Sequence, residues 1–372
     1  MSVKISEIIK VIETIAPKVL AEDWDNVGLQ IGYHQQLVKR VLLTLDVTSE
    51  VVEEAVNQKV DLIIAHHPFI FKGLKTLSTD HEKGRLITKL IKNDIALYVA
   101  HTNLDKAEFG LNDFLAHKLG LETVRSLDPS DPEKFYKLVV YVPSNATEKI
   151  VEVFGKNGAG AIGTYDYCTF RSSGIGTFRP LMGSDPFIGK VNTIENVNED
   201  RVEAIVPEGL LRNTINQLKK THPYEEMAYD VVPLENGRLI NQNGFGKIGL
   251  LKEPMKGKDF TQYVKKVLNL STLRGAGILP ETVRRVALCS GAGADMIGIA
   301  KAKKADVLIT GDLKHHDGQR AAENNFWVLD AGHFGTEKCV TECLEAMIIA
   351  GLGEKAPELI TARGLKDYIF LY

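Results

Sequence analysis

The chain has 372 residues, of which 25% are charged and 44% hydrophobic, and its formal net charge is −3. This length predicts two or three domains, and the near balance of charge gives no strong field to attract nucleic acid or an anionic membrane. Its four cysteines are too few and too scattered for a disulfide framework, and the sequence has neither a signal-peptide layout at its start nor an apolar run of membrane-spanning length. We therefore expect a soluble cytoplasmic protein that does not bind membranes and for which nucleic acid is a disfavoured but not an excluded partner.

Residues 1–128 alternate between apolar strands and amphipathic helices, which predicts an α/β half with a mostly parallel sheet. Ser6 and Ser49 are predicted helix caps, and Gly120 is a predicted helix terminator. Asp25, beside Trp24, is interpreted either as part of a surface turn or as part of a pocket wall. The predicted strands are residues 41–45, 62–65 and 96–100, and the predicted apolar helix faces lie at residues 8–12, 52–56, 86–91 and 111–119.

Two adjacent histidines, His66 and His67, end the strand of residues 62–65, and Pro68 then interrupts the chain. Ligands of open α/β sheets bind beyond the carboxyl ends of the strands, so the two imidazoles stand where chemistry is expected. Taken alone, the pair is better explained as partly exposed side chains at a strand end, because histidine is common there without a metal.

Residues 129–238 form a predicted inserted domain that begins at an Asp-Pro-rich linker around residues 128–131. A β-α-β unit occurs twice in it, and each copy turns at a Val-Pro, at residues 142–143 and 206–207. Two such units in tandem predict a ferredoxin-like α+β domain. The Gly-, Ser- and Pro-rich residues 171–190 are interpreted as a loop or an extended hairpin.

Residues 239–372 return to the first pattern and form a second predicted α/β half. Its apolar strands are residues 286–289, 307–310 and 326–330. Gly291 and Gly293 follow the first of these strands, but two glycines are a weak indication of a phosphate loop. Cys339 and Cys343 lie four residues apart on a predicted helix and are interpreted as core residues.

The two α/β halves share the same order of sequence features. In each, an apolar strand is followed by a pair of histidines, and a later strand ends in a histidine with a carboxylate four residues after it. The residues concerned are His66, His67, His101 and Asp105 in the first half, and Asp312, His315, His316, His333 and Glu337 in the second. Chance is a poor explanation of this repetition. We expect instead that the two halves are related in structure and that their strand ends converge on one cleft. Imidazole and carboxylate suit zinc, iron, manganese, cobalt or nickel, and two such ions can activate water for hydrolysis. The alternative is that these are strand-end histidines and helix-start carboxylates without a metal.

These segments resemble the signature segments of the Nif-three-like family, whose bacterial members are labelled as second-type homologues of GTP cyclohydrolase type I. The resemblance covers the whole chain. It is carried by residues 24–29, 65–68, 101–105, 165–170, 222–226, 311–316 and 332–337.

The resemblance implies a dinuclear centre with two divalent ions per chain, zinc being favoured. The implied ligands are His66, His67, Asp105, His333 and Glu337, with Glu337 as the bridge. His101 has the position of His333 in the repeat but is not a usual ligand of the family, so we expect it beside the ligands or facing a substrate. The resemblance also implies a toroidal homohexamer and a middle domain similar to the PII and CutA trimeric modules.

Two functions are consistent with these residues. The first is a metal-dependent hydrolase acting on a small molecule, which the family label would make a guanine nucleotide whose imidazole ring is opened with release of formate. Its candidate catalytic residues are His101, Asp312, His315 and His316. No motif concentrates the basic residues that a triphosphate requires. The alternative is a metal-binding regulatory protein or sensor without turnover, which would signal through the inserted domain.

Overall fold

The computed structural model describes residues 2–130, 134–162, 165–235 and 242–370. The chain divides into two compact units, the first formed by Met1–Ser130 with Gln242–Tyr372 and the second by Asp131–Asn241. The predicted boundary residues 131 and 236–238 lie outside the described residues. In the part of the chain that the structure describes, no helix is both long enough and apolar enough to cross a bilayer.

The elements of the first unit fall in two stretches of the chain, before and after those of the second unit. Up to residue 130 they are β1 (Val3–Lys4), α1 (Ile5–Ile15), β2 (Gly28–Ile31), β3 (Leu37–Val38), β4 (Arg40–Thr44), α2 (Ser49–Asn57), β5 (Leu62–Ala65), α3 (Glu82–Lys92), β6 (Ala96–Val99), α4 (Thr102–Lys106), α5 (Leu111–Lys118) and β7 (Leu121–Pro129). The second unit has β8 (Phe135–Pro143), α6 (Thr147–Lys156), β9 (Thr169–Phe178), β10 (Glu195–Pro207), α7 (Glu208–Thr221) and β11 (Tyr229–Leu234). After residue 241 come β12 (Gly244–Lys256), α8 (Gly257–Val267), β13 (Arg274–Ala276), β14 (Thr282–Leu288), α9 (Ile297–Ala302), β15 (Val307–Thr310), α10 (His315–Glu323), β16 (Trp327–Asp330), α11 (His333–Glu337), α12 (Val340–Leu352) and β17 (Glu358–Thr361). Short 3-10 helices occupy Lys18–Leu20, Ala294–Met296 and Gly353–Lys355.

The two predicted N-caps, Ser6 and Ser49, are wrong by two residues and by one residue. Helix α1 begins at Ile5, so Ser6 lies inside its first turn, and the carboxylate of Glu7 accepts the backbone N–H of Lys4 instead. Helix α2 is capped by Thr48, whose hydroxyl oxygen accepts the N–H of Val51 at 3.3 Å. Gly120 follows α5 with φ +66°, a left-handed conformation that glycine adopts without strain, and this confirms it as a terminator.

His66, His67 and His101 follow two neighbouring strands of a five-stranded sheet. Its order is β17-β4-β5-β6-β2, with the first four strands parallel and β2 antiparallel at the edge. Every residue of β5 and β6 is buried, which explains their uninterrupted apolar sequences.

A six-stranded sheet of order β13-β16-β15-β14-β12-β7 serves the second half, and β14, β15 and β16 are its parallel centre. Strand β7 comes from the first segment of the chain but pairs with β12 in this sheet, whereas the late strand β17 pairs with β4 in the other sheet. The two predicted halves therefore form two sheets that exchange edge strands.

Both sheets of the first unit contribute to one central core with helices α1, α5, α8 and α12. The core side chains include Leu43, Ile64 and Tyr98 from one sheet and Val307 and Ile309 from the other. The opposite faces of the sheets are covered by α2 and α3 and by α9 and α10. Cys339 and Cys343 are buried in the central core, as predicted.

The second unit is a four-stranded antiparallel sheet of order β11-β8-β10-β9 with its own apolar core against α6 and α7. Part of the segment predicted as a loop or hairpin is strand β9, which pairs with β10. The chain is thus a mixed α/β protein with several sheets.

Candidate metal centre

Four histidines of the first unit are placed at strand ends. His66 and His67 follow β5 directly, and His101 lies between β6 and α4. His333 begins α11, shortly after β16. Because these strands are parallel members of their sheets, their carboxyl ends place the imidazoles on the side where ligands of α/β proteins bind.

Each of these imidazoles is oriented by a hydrogen bond from its Nδ1 atom. The acceptors are the Ala100 carbonyl oxygen for His66 (2.7 Å), Asp46 Oδ1 for His67 (2.7 Å), Asp25 Oδ1 for His101 (2.9 Å) and Asp312 Oδ2 for His333 (2.8 Å). An acceptor on Nδ1 fixes the ring and leaves Nε2 for a metal, which is the usual arrangement around metal-bound histidine.

The Nε2 atoms converge on two carboxylates. Glu337 Oε2 lies 2.9 Å from Nε2 of His67 and 3.0 Å from Nε2 of His333. The two imidazole Nε2 atoms are themselves 3.3 Å apart. Asp105 Oδ1 lies 3.6 Å from Nε2 of His66.

Three overlapping groups of potential ligand atoms result, and in each the atoms lie within 4.8 Å of one another. The groups are His66 with His67 and His101, His67 with His333 and Glu337, and His66 with Asp105 and Glu337. Because Glu337 belongs to two of the groups, its carboxylate is shared between the His67–His333 side and the His66–Asp105 side.

His66 provides a test of whether these residues fit a cation. Its side chain is fully buried, and its Nε2 has no hydrogen-bond partner in the described part of the chain. Nδ1 donates to the Ala100 carbonyl, so Nε2 carries a lone pair that faces an oxygen of Asp105. A buried acceptor such as this Nε2 is costly without a donor or a cation beside it, and a metal ion between His66 and Asp105 would satisfy both groups.

Burial and hydrogen bonding divide the histidines into two kinds. Burial lowers the pKa of His66 to about 3, so this imidazole is neutral. Burial also opposes protonation of His67, but hydrogen bonds with Asp46 and Glu337 outweigh it and raise the pKa to about 10. The hydrogen bond with Glu337 raises the pKa of His333 to about 9 despite burial.

The two carboxyl groups shift in opposite directions. Burial raises the pKa of Asp105 well above its ordinary value. Burial would do the same to Glu337, but its hydrogen bonds with His333 and His67 more than compensate and lower its pKa. Without a metal, protons on His67 and His333 therefore supply the positive charge that Glu337 requires.

The predicted catalytic residues have different positions. His101 lies among the potential ligands, and its ring is 5.2 Å from that of His66 between centroids. Asp312 accepts from Nδ1 of His333 and so orients a potential ligand. The structure does not bring His315 and His316 into this group, because both are exposed at the start of α10, where their rings contact each other.

Two orienting carboxylates were missed in the sequence, Asp46 and Asp25. Asp46 comes just after β4, so its position at the carboxyl end of an apolar strand was a signal that could have been used. Asp25 was considered only for a turn or a pocket wall. Its carboxylate accepts from Nδ1 of His101 and from the backbone N–H of Thr102 (3.1 Å), so Asp25 supports the residues that line the cleft from behind.

A cleft of about 630 Å³ opens beside these groups. Its lining includes His67, His101 and Glu337 together with the aromatic rings of Trp24 and Phe71. This volume is in the range of small-molecule sites in proteins. The arrangement thus places a group able to hold cations at the edge of a space that admits a small molecule.

Residues 3–358 match the family model described as Duf34/NIF3 (NGG1p interacting factor 3). The chain belongs to the Duf34/NIF3 family. This confirms the resemblance to the Nif-three-like family that residues such as His66, His67 and Glu337 indicated.

Relatives of this Duf34/NIF3 chain match it over nearly their whole length. A Bacillus subtilis protein named GTP cyclohydrolase 1 type 2 homolog is 44% identical over 341 residues, which are 92% of this chain and 91% of the relative. A Bacillus cereus protein related to NIF3 has a solved structure with a TM-score of 0.79 and 40% identity, covering 100% of this chain and 99% of that one. The Staphylococcus aureus protein SA1388 gives a TM-score of 0.80 at 29% identity, again covering 100% and 99%. The Duf34/NIF3 fold is therefore shared over the full length of the chain.

Proposed function

We propose that this Duf34/NIF3 protein is a hydrolase that depends on two divalent metal ions per chain. The observation that carries the proposal is the buried Nε2 of His66, which lacks a hydrogen-bond partner in the described part of the chain and faces Asp105 Oδ1 at 3.6 Å. Zinc is the favoured ion, and iron, manganese, cobalt and nickel are the alternatives, because the donors are imidazole nitrogen and carboxylate oxygen.

The two ions would be held by the ligands that the family resemblance implies. His67 and His333 would hold one ion, and His66 and Asp105 the other. Glu337 would bridge them, since its carboxylate lies in both groups of potential ligands. Asp46 and Asp312 would keep the imidazoles of His67 and His333 oriented through Nδ1.

When bound, two divalent ions lower the pKa of water and thus supply a nucleophile for hydrolysis near neutral pH. We assign proton transfer to His101, which lines the cleft and whose ring is positioned by Asp25. His315 and His316, the other candidate bases, would need access to the cleft from their exposed positions on α10. Their contribution is tested by replacing both with alanine, which should leave turnover unchanged if His101 performs the transfer.

Elemental analysis of protein purified without an affinity tag or added metal is the first test. We expect about two equivalents of metal per chain. His67→Ala and Glu337→Gln should each lower that value sharply, because His67 is a ligand of one ion and Glu337 is the bridge. His81→Ala is the matched control, since His81 is an exposed histidine at the start of α3. Parent protein with little metal, unchanged in both variants, would contradict the site.

Turnover separates the hydrolase from the alternative, a metal-binding regulator or sensor. The specific observation in favour of the alternative is that the second unit has a sheet and a core of its own. We infer that this unit is of the ferredoxin-like, PII-like class, and the β-α-β-β-α-β order of its elements supports that inference. An enzyme would lose turnover with Glu337→Gln, whereas a sensor has no turnover to lose.

Three further expectations are proposals of the same kind. The relatives named GTP cyclohydrolase 1 type 2 homolog suggest a guanine nucleotide as one candidate substrate. The other two are a toroidal homohexamer, which the resemblance implies, and a cytoplasmic location, which the scattered cysteines indicate. Light scattering after size-exclusion chromatography would give six times the mass of one chain for the hexamer, and any smaller mass would contradict it.

A further inference from the structure

The cleft beside the metal-binding group has an aromatic wall that the chemistry proposed above does not use. The Trp24 side chain is 56% exposed, and its ring centroid lies 5.9 Å from that of Phe71. The same indole lies 6.1 Å from the His101 ring in an edge-on arrangement. Exposed aromatic rings gathered at one cleft are typical of ligand-binding surfaces.

The wall is held in place by hydrogen bonds to α4. Asp25, next to Trp24, accepts from Nδ1 of His101 and from the backbone N–H of Thr102. The backbone N–H of Glu22 donates to the hydroxyl of Thr102 at 3.0 Å. The segment that carries Trp24 is therefore fixed against the helix that supplies Asp105, and a ring bound on the wall would meet a preformed surface at little entropic cost.

Apart from the metal-binding group, the side chains that line the cleft are not those that usually grip a polyphosphate. None of the described residues that line it is lysine or arginine, whereas Glu22 and Asp295 add carboxylates to it. Lys106 lies beside the cleft, but its ammonium group pairs with Glu22 and sits 4.8 Å from the centre of the Phe245 ring. Proteins grip phosphate groups mainly with arginine, lysine and clustered backbone N–H groups. Outside the metal-binding group, where His67 and His333 lie against Glu337 and the proposed ions would add positive charge, the described walls offer no side-chain cation to a triphosphate.

We propose that the cleft binds an uncharged planar heteroaromatic compound, stacked on Trp24 and Phe71, and that a nucleoside triphosphate is not its preferred ligand. The volume of about 630 Å³ admits a molecule of nucleoside size. Stacking on aromatic side chains is tolerant of ring identity, so the wall selects for planarity, and Glu22 and Asp295 disfavour an anionic group placed next to them. That such a compound is the substrate rests on the proposed hydrolase function. That the cleft binds it rests only on the Trp24–Phe71 wall.

Tryptophan fluorescence tests the proposal directly. The chain has two tryptophans, and Trp327 is only 5% exposed, so quenching by an added ligand reports on Trp24. The full-length protein would be titrated with guanosine, GTP and inorganic triphosphate, both as purified and after chelation. Trp24→Phe should abolish the fluorescence change, which verifies its source. Phe71→Ala should weaken guanosine binding by about fivefold or more, given the usual effect of removing a stacking partner. Phe170→Ala, at an exposed phenylalanine of the second unit, is the matched control.

The expected result is that guanosine binds at least as tightly as GTP and that triphosphate alone does not compete. Binding of GTP about tenfold or more tighter than guanosine, or absence of any guanosine effect at millimolar concentration, would overturn the proposal. The metal content of each sample, measured in parallel, keeps the two proposals separate. Absence of metal from the parent protein as purified would contradict the proposed hydrolase. Tighter binding of GTP by protein that carries its full metal content would contradict only the proposed ligand preference.

Discussion

Gly291 lets the carboxylate of Glu337 lie against the main chain of the loop that follows β14. A Cβ atom at this position would be 2.3 Å from Glu337 Oε1 and 3.3 Å from His333 Cε1. The backbone has little freedom to retreat, because the Gly291 N–H donates to the Thr336 hydroxyl and its carbonyl accepts the Gly311 N–H. Its φ of +60° is also one that glycine adopts more readily than other residues.

We expect Gly291→Ala to displace Glu337 and to weaken metal binding by about tenfold or more, as is typical when the surroundings of a metal ligand are disturbed. The measurement is a competition titration with a metal-binding dye. Gly298→Ala on α9 is the control, because its added methyl group would meet no atom within 4 Å beyond its chain neighbours and the backbone of its own helix. Equal affinity in both variants would show that the position of Glu337 against this loop does not matter for the ions.

Individual site residues could be predicted where their type and their strand-end position agreed. His66, His67 and His101 end apolar strands, and the structure does bring them to one place with Glu337. The strand-end position of Asp46 is a local signal, but its pairing with His67 depends on which strand lies beside β5, and nothing within a few residues of Asp46 encodes that neighbour. Asp46 and His67 are 21 residues apart, and the order of strands in the sheet brings them together.

At the scale of elements, a buried ion pair joins α5 to β12. The ammonium group of Lys247, which is buried, lies 2.7 Å from Asp113 Oδ2 and donates to the carbonyl of Gln242 at 3.0 Å. Asp113 also accepts the backbone N–H of Phe109. Removal of one member leaves the other as an uncompensated buried charge, which costs far more than the pair contributes.

Lys247→Met should therefore lower the free energy of unfolding by about 3–5 kcal/mol. The double variant Lys247→Met/Asp113→Asn should be clearly more stable than the single one, because Asn keeps an oxygen for the Phe109 N–H and carries no charge. Denaturation in urea measures both. If the double variant is as unstable as Lys247→Met, lost packing rather than the isolated charge is the cause.

Asp200 joins three elements of the second unit through its buried carboxylate. Oδ2 accepts from the Thr147 hydroxyl at the start of α6 (2.7 Å), and Oδ1 accepts from the Ser173 hydroxyl on β9 (2.7 Å) and from that of Ser144 (3.3 Å). These hydrogen bonds, with Ser173 and Thr147 foremost, lower the pKa of Asp200 in the folded protein.

A carboxyl group whose pKa falls on folding stabilises the fold above its unfolded pKa of about 4, and this contribution disappears as pH falls through the folded pKa. Asp200→Asn should thus lower the unfolding temperature at about pH 7, and the difference from the parent should shrink towards about pH 3. Circular dichroism during heating gives both values. Asp166→Asn, at an exposed aspartate of the same unit, should behave like the parent. A deficit that is constant with pH would exclude the ionised carboxylate as its source.

Helices and strands could be predicted where a short stretch of sequence determines them. Strands β5, β6, β15 and β16 are buried along their whole length, so each is an uninterrupted apolar run. Strands β7 and β17 were not predicted. They are partly exposed edge strands, and β17 pairs with β4 more than 300 residues earlier in the chain, a distance over which no periodicity carries information.

At the scale of the whole molecule, the candidate ligands all belong to the first unit, although the second unit interrupts that unit in sequence. A ligand that binds only the folded state stabilises the structure it binds. Removal of metal by a chelator should therefore increase hydrogen exchange in residues 2–130 and 242–370, above all around His66 and Glu337. Residues 134–235 should keep their protection, since they have a separate core.

Hydrogen exchange with peptide-level mass spectrometry makes this comparison in one sample. Glu337→Gln treated with the chelator is the control, and it should show little further change because its ions are already lost. Equal loss of protection in both units of the parent would contradict a metal centre confined to the first.

The distance along the chain between the two sides of the centre has a consequence for synthesis. His67 and Glu337, whose nearest atoms lie 2.9 Å apart, are separated by 270 residues. At translation rates of about 5–20 residues per second, roughly 15 to 55 seconds pass between the appearance of one and of the other. A nascent chain on the ribosome therefore displays the His66–His67 pair long before Glu337, the proposed bridge, has been made. The edge strand β17 is made later still. The centre proposed above can thus be completed only once Glu337 has been made, and a chain truncated before Glu337 carries only part of its proposed ligand set.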